Sequence, residues 1–183
     1  MMEKHSIFSK GLILAVVLCM LLLTAGCKND QPQETTGFTV ETTEPIVLND
    51  RPPALQVICG QDSLQGLLGT YSWTYLEKDG TATVANASGA HPLDSKSMLT
   101  AYTTSAANGR LEFGDQPEHI SVRCWSDDNF GQSAAPAETV TMNGYTAELK
   151  PGGYIYEIAA QWEDDGGDGY GLGYYCVYII CGN

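Results

Sequence analysis

From residue 54 onward the chain alternates apolar and polar positions in short runs divided by Gly, Asn and Asp. Tyr71, Trp73 and Tyr75 alternate with Thr70, Ser72 and Thr74, and Ile120, Val122 and Cys124 with Ser121, Arg123 and Trp125. A third run, 154–162, gathers Tyr154, Tyr156 and Trp162 on one face, while 172–181 is apolar on both. Period-two runs predict half-buried antiparallel strands, and an apolar run without alternation predicts a strand covered on both sides. Asn143-Gly144 separates 138–142 from 145–149, Asp79-Gly80 can join 70–76 to 81–85, and Asn108-Gly109 precedes 110–113. Such dipeptides are strong hairpin signals. Helical spacing occurs only at 62–68, where Leu64, Leu67 and Leu68 share a face, and at 92–102. The expected fold is all-β: a sandwich of about seven to nine short strands over residues 54–183.

The N-terminal third has a different pattern. Residues 12–23 form an unbroken apolar run of twelve, preceded by Lys4, His5 and Lys10 against Glu3. A spanning helix needs about 20 apolar residues, so this run predicts the apolar core of a secretory signal peptide, residues 1–26. Residues 28–53 hold five Thr, four Pro and five acids with little apolar periodicity. That composition cannot bury enough surface to offset ordering, and predicts a flexible stalk over 27–53. Ile46-Val47-Leu48 is the one patch there suited to dock as an extra edge strand.

Three resemblances follow from particular residues. Leu23-Thr24-Ala25-Gly26-Cys27 resembles the bacterial lipobox, with Thr24 where the family usually has Leu. The resemblance implies a diacylglycerol thioether on Cys27, hence a protein held on the extracytoplasmic side of the cell membrane by its lipid; two or more acyl chains anchor stably. Leu149-Lys150-Pro151-Gly152-Gly153, followed by Tyr154 and Tyr156, resembles the turn before a late strand in immunoglobulin-like and fibronectin-type domains. In those domains a Tyr hydroxyl bonds back to the turn, and here Ile155 stands at the usual Tyr position. Finally, the blocks 70–75, 90–94, 117–125 and 154–162, in that order, resemble uncharacterised lipoproteins of Gram-positive, clostridium-like bacteria. That likeness implies a fold and an address, and carries no catalytic residues.

Charge and chemistry narrow the function. A net charge of −13 and a pI near 4.3 argue against nucleic acid, which needs a basic footprint. Of six cysteines, Cys19 lies in the signal peptide and Cys27 is the lipid site. Cys59, Cys124, Cys176 and Cys181 remain, with three possible connectivities. Cys176 and Cys181 point to opposite faces of one strand, so the favoured pairing is Cys59–Cys181 with Cys124–Cys176. The alternative is four buried thiols. No zinc spacing is present. Asp164, Asp165 and Asp168 on a Gly-rich loop are a weak Ca²⁺ candidate, against the simpler reading of a solvated loop.

Downstream of Cys27 only His91 and His119 occur, without a nucleophile elbow or a cofactor fingerprint, so no cofactor is expected. The surplus of Tyr and Trp is the lead for binding. Trp125, Tyr154 and Trp162 are the candidate ligand-face aromatics, and Trp125 is the sharpest because Ile120, Val122 and Cys124 claim the inner face. The competing reading covers Trp125 with the 126–137 loop. The expectation is a non-catalytic binding or interaction module with an unidentified protein or glycan partner. The alternatives are a carbohydrate-binding module at the cell envelope and, third, a hydrolase.

Overall fold

The computed structural model describes residues 49–167 and 169–182. The signal peptide, Cys27, the stalk through Ile46-Val47-Leu48, and Asp168 lie outside these residues. Among them no helix is long and apolar enough to cross a membrane.

The described chain is an all-β sandwich. Its strands are β1 (Leu55–Cys59), β2 (Asp62–Gln65), β3 (Leu67–Leu76), β4 (Ala82–Ala87), β5 (Ala101–Thr104) and β6 (Asn108–Phe113), then β7 (His119–Ser126), β8 (Glu138–Thr139), β9 (Met142–Asn143), β10 (Thr146–Glu148), β11 (Gly152–Trp162) and β12 (Gly169–Cys181). One sheet has five strands in the order β2-β1-β6-β10-β9. The other has seven, in the order β4-β3-β12-β11-β7-β8, with β5 lying parallel to the second half of β12. Twelve strands exceed the seven to nine expected from the pattern because β2, β8 and β9 hold only two to four residues, too few to show a period.

The period-two faces meet as alternation predicts. Leu55, Val57, Leu111, Phe113 and Ala147 of the five-stranded sheet pack on Trp73, Val122, Cys124, Tyr156, Ile158, Trp162, Tyr175, Val177 and Ile179 of the seven-stranded one. The Asp79-Gly80 hairpin joins β3 to β4 as expected. The β9–β10 hairpin turns one residue late, on Gly144-Tyr145, because Asn143 pairs with Thr146.

Both helical expectations are corrected. Residues 62–68 are β2 and the start of β3. Leu64 reaches the core from one sheet and Leu68 from the other, while Gly66 makes the crossing. A Cβ on Gly66 would lie 2.9 Å from Leu55 Cδ2, and its N–H donates to the Leu55 carbonyl at 2.9 Å. A reversal at Gly60 (φ 67°), where a side chain would be strained, pairs β2 back onto β1 and takes these leucines out of any helix. In 92–102 only Pro92–Asp94 forms a 3-10 turn, capped by His91 Nδ1, which accepts the Leu93 N–H.

The second half of the seven-stranded sheet carries an extra layer. Leu93 and Leu99 from one loop, and Phe130 and Ala135 from another, cover Trp125, Ile155, Cys176 and Tyr178 on its outer face.

The four described cysteines, Cys59, Cys124, Cys176 and Cys181, are buried thiols, as in the alternative weighed above. The proposed Cys124–Cys176 bond is excluded by topology: Cys124 packs between the sheets and Cys176 lies in the outer layer, with the sheet between them. Cys59 and Cys181 share the inner core as free thiols, and Cys181 Sγ donates to the Ala106 carbonyl at 3.2 Å.

Candidate functional site

The register of the seven-stranded sheet decides which side chains share its outer face. Pairing places Asn86, Ser72, Leu172, Gln161 and His119 in one row across β4, β3, β12, β11 and β7. The row on one side runs Val84, Thr74, Tyr170. The row on the other side contains Tyr174, Ala159 and Ser121. Tyr170, Leu172 and Tyr174 thus form a stripe along β12, each half-buried, with the two tyrosines about 13 Å apart along the strand. Thr74 beside Tyr170 and Ala159 beside Tyr174 are short, so part of each ring remains accessible. Among the described residues neither Tyr170 nor Tyr174 has a hydrogen-bond partner for its hydroxyl. The flanking groups are hydroxyls and amides, with the exposed His119–Glu163 pair (3.1 Å) at the margin.

The stripe exists because of what faces inward. Gly169, Gly171 and Gly173 alternate with it, and each lies where a side chain has no room. A Cβ on Gly169 would sit 2.8 Å from the Trp73 indole, and one on Gly171 (φ 145°) would overlap the Ser72 carbonyl oxygen. A Cβ on Gly173 would meet the Tyr175 ring at 3.2 Å. Inner glycines make space for Trp73 and Tyr175, and the strand's bulky residues are left outside. The sequence did contain this signal, as Gly at every second position interleaved with Tyr, Leu and Tyr.

The aromatics singled out from sequence lie elsewhere. Trp125 does sit on the outer face, but it is 2% exposed: its Nε1–H donates to the Ala135 carbonyl at 3.0 Å and its ring meets His91 edge-on at 5.2 Å. The covering layer, not a ligand, occupies it. Arg123 adds a further lid, stacked 5.1 Å over Trp125 while its Nε donates to Glu157 at 2.5 Å. Tyr154 points inward beside Tyr156, and Trp162 is buried against Trp73 and Phe113 in edge-to-face contacts of 5.4 Å. These two positions share a period-two face with Ile158, and that face is the core.

At one end of the sandwich a cleft of about 850 Å³ opens among Arg51, Asp115, Glu118, Glu163 and Asp165, above Trp73 and Trp162. Several of its polar groups are engaged. Trp73 Nε1–H donates to the Asn49 carbonyl, Trp162 Nε1–H to the Asp115 carbonyl, and Glu118 accepts the Glu163 N–H at 2.9 Å. Asp164 and Asp165 cap their own turn, accepting the N–H groups of Gly166 and Gly167. Among the described residues no cluster of His, Cys, Asp and Glu is arranged to hold a metal ion; Asp168, the third member of the Ca²⁺ candidate, lies outside them.

Buried thiols are poor nucleophiles here. Burial pushes Cys59 up to about 11, assisted by the neighbouring Cys181, and pushes Cys176 up to about 12, assisted by Glu157. Comparison with protein-family models, with curated proteins and with solved structures finds no match to this chain.

Proposed function

We propose that this protein is a non-catalytic binding module, tethered outside the cell membrane by lipid on Cys27, and that its ligand is a carbohydrate. The observation that carries the reading is the Tyr170–Leu172–Tyr174 stripe. It offers aromatic rings and hydroxyls on the outer sheet face among hydroxyl and amide groups, with the His119–Glu163 and Arg123–Glu157 pairs at its margins. Aromatic rings give large contact area at low conformational cost, and Tyr keeps a polar edge for hydrogen bonds. A sugar presents the same mixture of apolar C–H faces and hydroxyls. The uncharged neighbours on β3 and β4, Ser72, Thr74, Val84 and Asn86, suit a neutral polymer better than a charged peptide.

The test is a binding screen of cell-wall and soluble polysaccharides against the wild type and the Tyr170→Ala/Tyr174→Ala double variant. The variant should fold normally and lose at least about tenfold in affinity, roughly 1.4 kcal/mol. Equal binding by the double variant, or no glycan bound by folded protein, rejects the carbohydrate reading. The tether is tested separately: Cys27→Ser should release the protein from the membrane fraction.

A further inference from the structure

The seven-stranded sheet ends differently on its two sides. One edge is β8, two residues long, preceded by Pro136 and with Glu138 paired to Lys150. The free edges of β2, β5 and β9 hold only four, four and two residues, and β2 carries Asp62. The remaining edge, β4, has six residues, Ala82-Thr83-Val84-Ala85-Asn86-Ala87, without a charge or a proline. It pairs with β3 in unbroken register over its whole length, and among the described residues its other side pairs with no strand. Natural sheets blunt their edges with charges, prolines, bulges or shortness, because the unpaired N–H and C=O groups are a template for another strand. This edge has none of those defences. It also gathers two of the four most exposed large apolar residues described, Val84 (57%) and Leu76 (50%).

We infer that β4 is the pairing edge of a two-fold homodimer, in which it adds antiparallel to β4 of a second copy and joins two seven-stranded sheets into one. Two observations identify the occupant as a second copy. First, the edge is self-complementary. Period two requires outward residues to oppose outward residues. A register centred on Val84 satisfies this, with Val84 facing Val84, Ala82 facing Asn86 and Thr83 facing Ala85. The charged hairpin tip, Glu77-Lys78-Asp79, then falls beside Gly89 and Ala90 of the other copy and not beside its own counterpart. Second, at a net charge of −13 two copies repel through most of their surface. Together β4 and the outward residues Ser72, Thr74 and Leu76 form a surface without an ionisable group, so like-charged copies can close there. A basic partner would be drawn to the acid-lined end cleft instead.

The pairing does not depend on the ligand reading, but it bears on it. Two β12 stripes would share one continuous face, five strand spacings or roughly 24 Å apart. An extended polymer could then engage both, with the second contact made at high effective concentration.

The experiment uses the full chain in its own membrane. Val84→Cys brings two thiols into directly opposed positions, within about 5.5 Å at Cβ. Leu76→Cys is a comparably exposed control one strand further in. After mild oxidation by dioxygen, a covalent dimer on a non-reducing gel from Val84→Cys, and none from Leu76→Cys or the wild type, supports the pairing. No Val84→Cys dimer, or equal cross-linking of Leu76→Cys, overturns it. A second measurement is light scattering in detergent: the wild type should be dimeric and Val84→Lys monomeric, and a monomeric wild type or a dimeric Val84→Lys overturns the inference.

Discussion

The hydroxyl of Tyr156, on β11, accepts the backbone N–H of Lys150 six residues earlier at 2.8 Å. This bond ties the chain entering β11 to the buried side of the same strand. Tyr156 is 2% exposed, and burial raises its phenol well above the ordinary value, so it stays protonated. Tyr156→Phe should therefore lower stability by about 1–3 kcal/mol, the cost of leaving the Lys150 N–H without its partner. The check is a denaturant titration with a shifted midpoint and an unchanged slope. Glu138→Gln, which breaks only the exposed pair with Lys150, should move the midpoint by less than about 1 kcal/mol.

Trp125→Ala should behave as a core deletion. The ring is packed by His91, Leu93, Ile155 and Ala135, so removing it should cost about 3–5 kcal/mol. A stability loss within about 0.5 kcal/mol would mean the covering layer does not form, and would return Trp125 to the surface.

Gly171→Ala should destabilise by about 3 kcal/mol or more, combining a left-handed backbone angle with overlap on a paired strand's carbonyl. Gly60 also has a positive φ (67°) but open space around it, and Gly60→Ala should cost only about 1 kcal/mol. Thermal or chemical unfolding of the two variants side by side separates strain from collision.

Stability should fall in alkali. Thiols that titrate near 9.0 in the open chain are held up to about 11 at Cys59 and about 12 at Cys176, mainly by burial. Tyr178 is held up to about 12, mainly by its 2.6 Å hydrogen bond to Asp127 and then by burial. Raised groups keep their proton in the folded state after the unfolded chain has lost it. Their contribution is complete below the unfolded values and is lost as pH climbs towards the folded ones. Denaturant midpoints should hold up to about pH 8.5 and decline through about pH 9–12. Cys176→Ala should flatten that decline by about 1.4 kcal/mol per unit. A midpoint that rises with alkali would show that these groups are not buried.

Intact mass after non-reducing isolation should never show two disulfides within the sandwich. Cys124 and Cys176 lie on opposite faces of one sheet, so both should take up alkylating reagent on unfolding without reductant. A peptide linking the two would contradict the strand register.

Alternation made most of the sandwich legible. The runs 70–76, 119–126 and 154–162 show period two because each has one face in the core and one outside it. Where a strand is short or covered on both sides the period vanishes, and residues 62–68 carry a helical spacing only because three leucines of two different strands happen to fit one helical face. The site was less legible. Outward orientation of Trp125 follows from parity, but its burial depends on two loops distant in sequence, which no local pattern reveals. Tyr154 and Trp162 lie inward for the opposite reason: Ile158 and Ala160 on the same face mark it as the core. The β12 stripe needed the inner glycines to be read as space for Trp73, a contact spanning about a hundred residues.

The position of β12 has a consequence for how the molecule is made. It lies at the centre of its sheet, bonded to β3 and β5 on one side and β11 on the other, yet it follows all three in the chain. During synthesis the five-stranded sheet can pair without β12, but the seven-stranded sheet has no middle until residues 169–181 emerge. Closure is therefore a late, long-range event, of the kind that takes milliseconds to seconds. A ribosome-bound chain therefore carries this sheet as two unjoined parts, β4-β3 and β11-β7-β8, until that point.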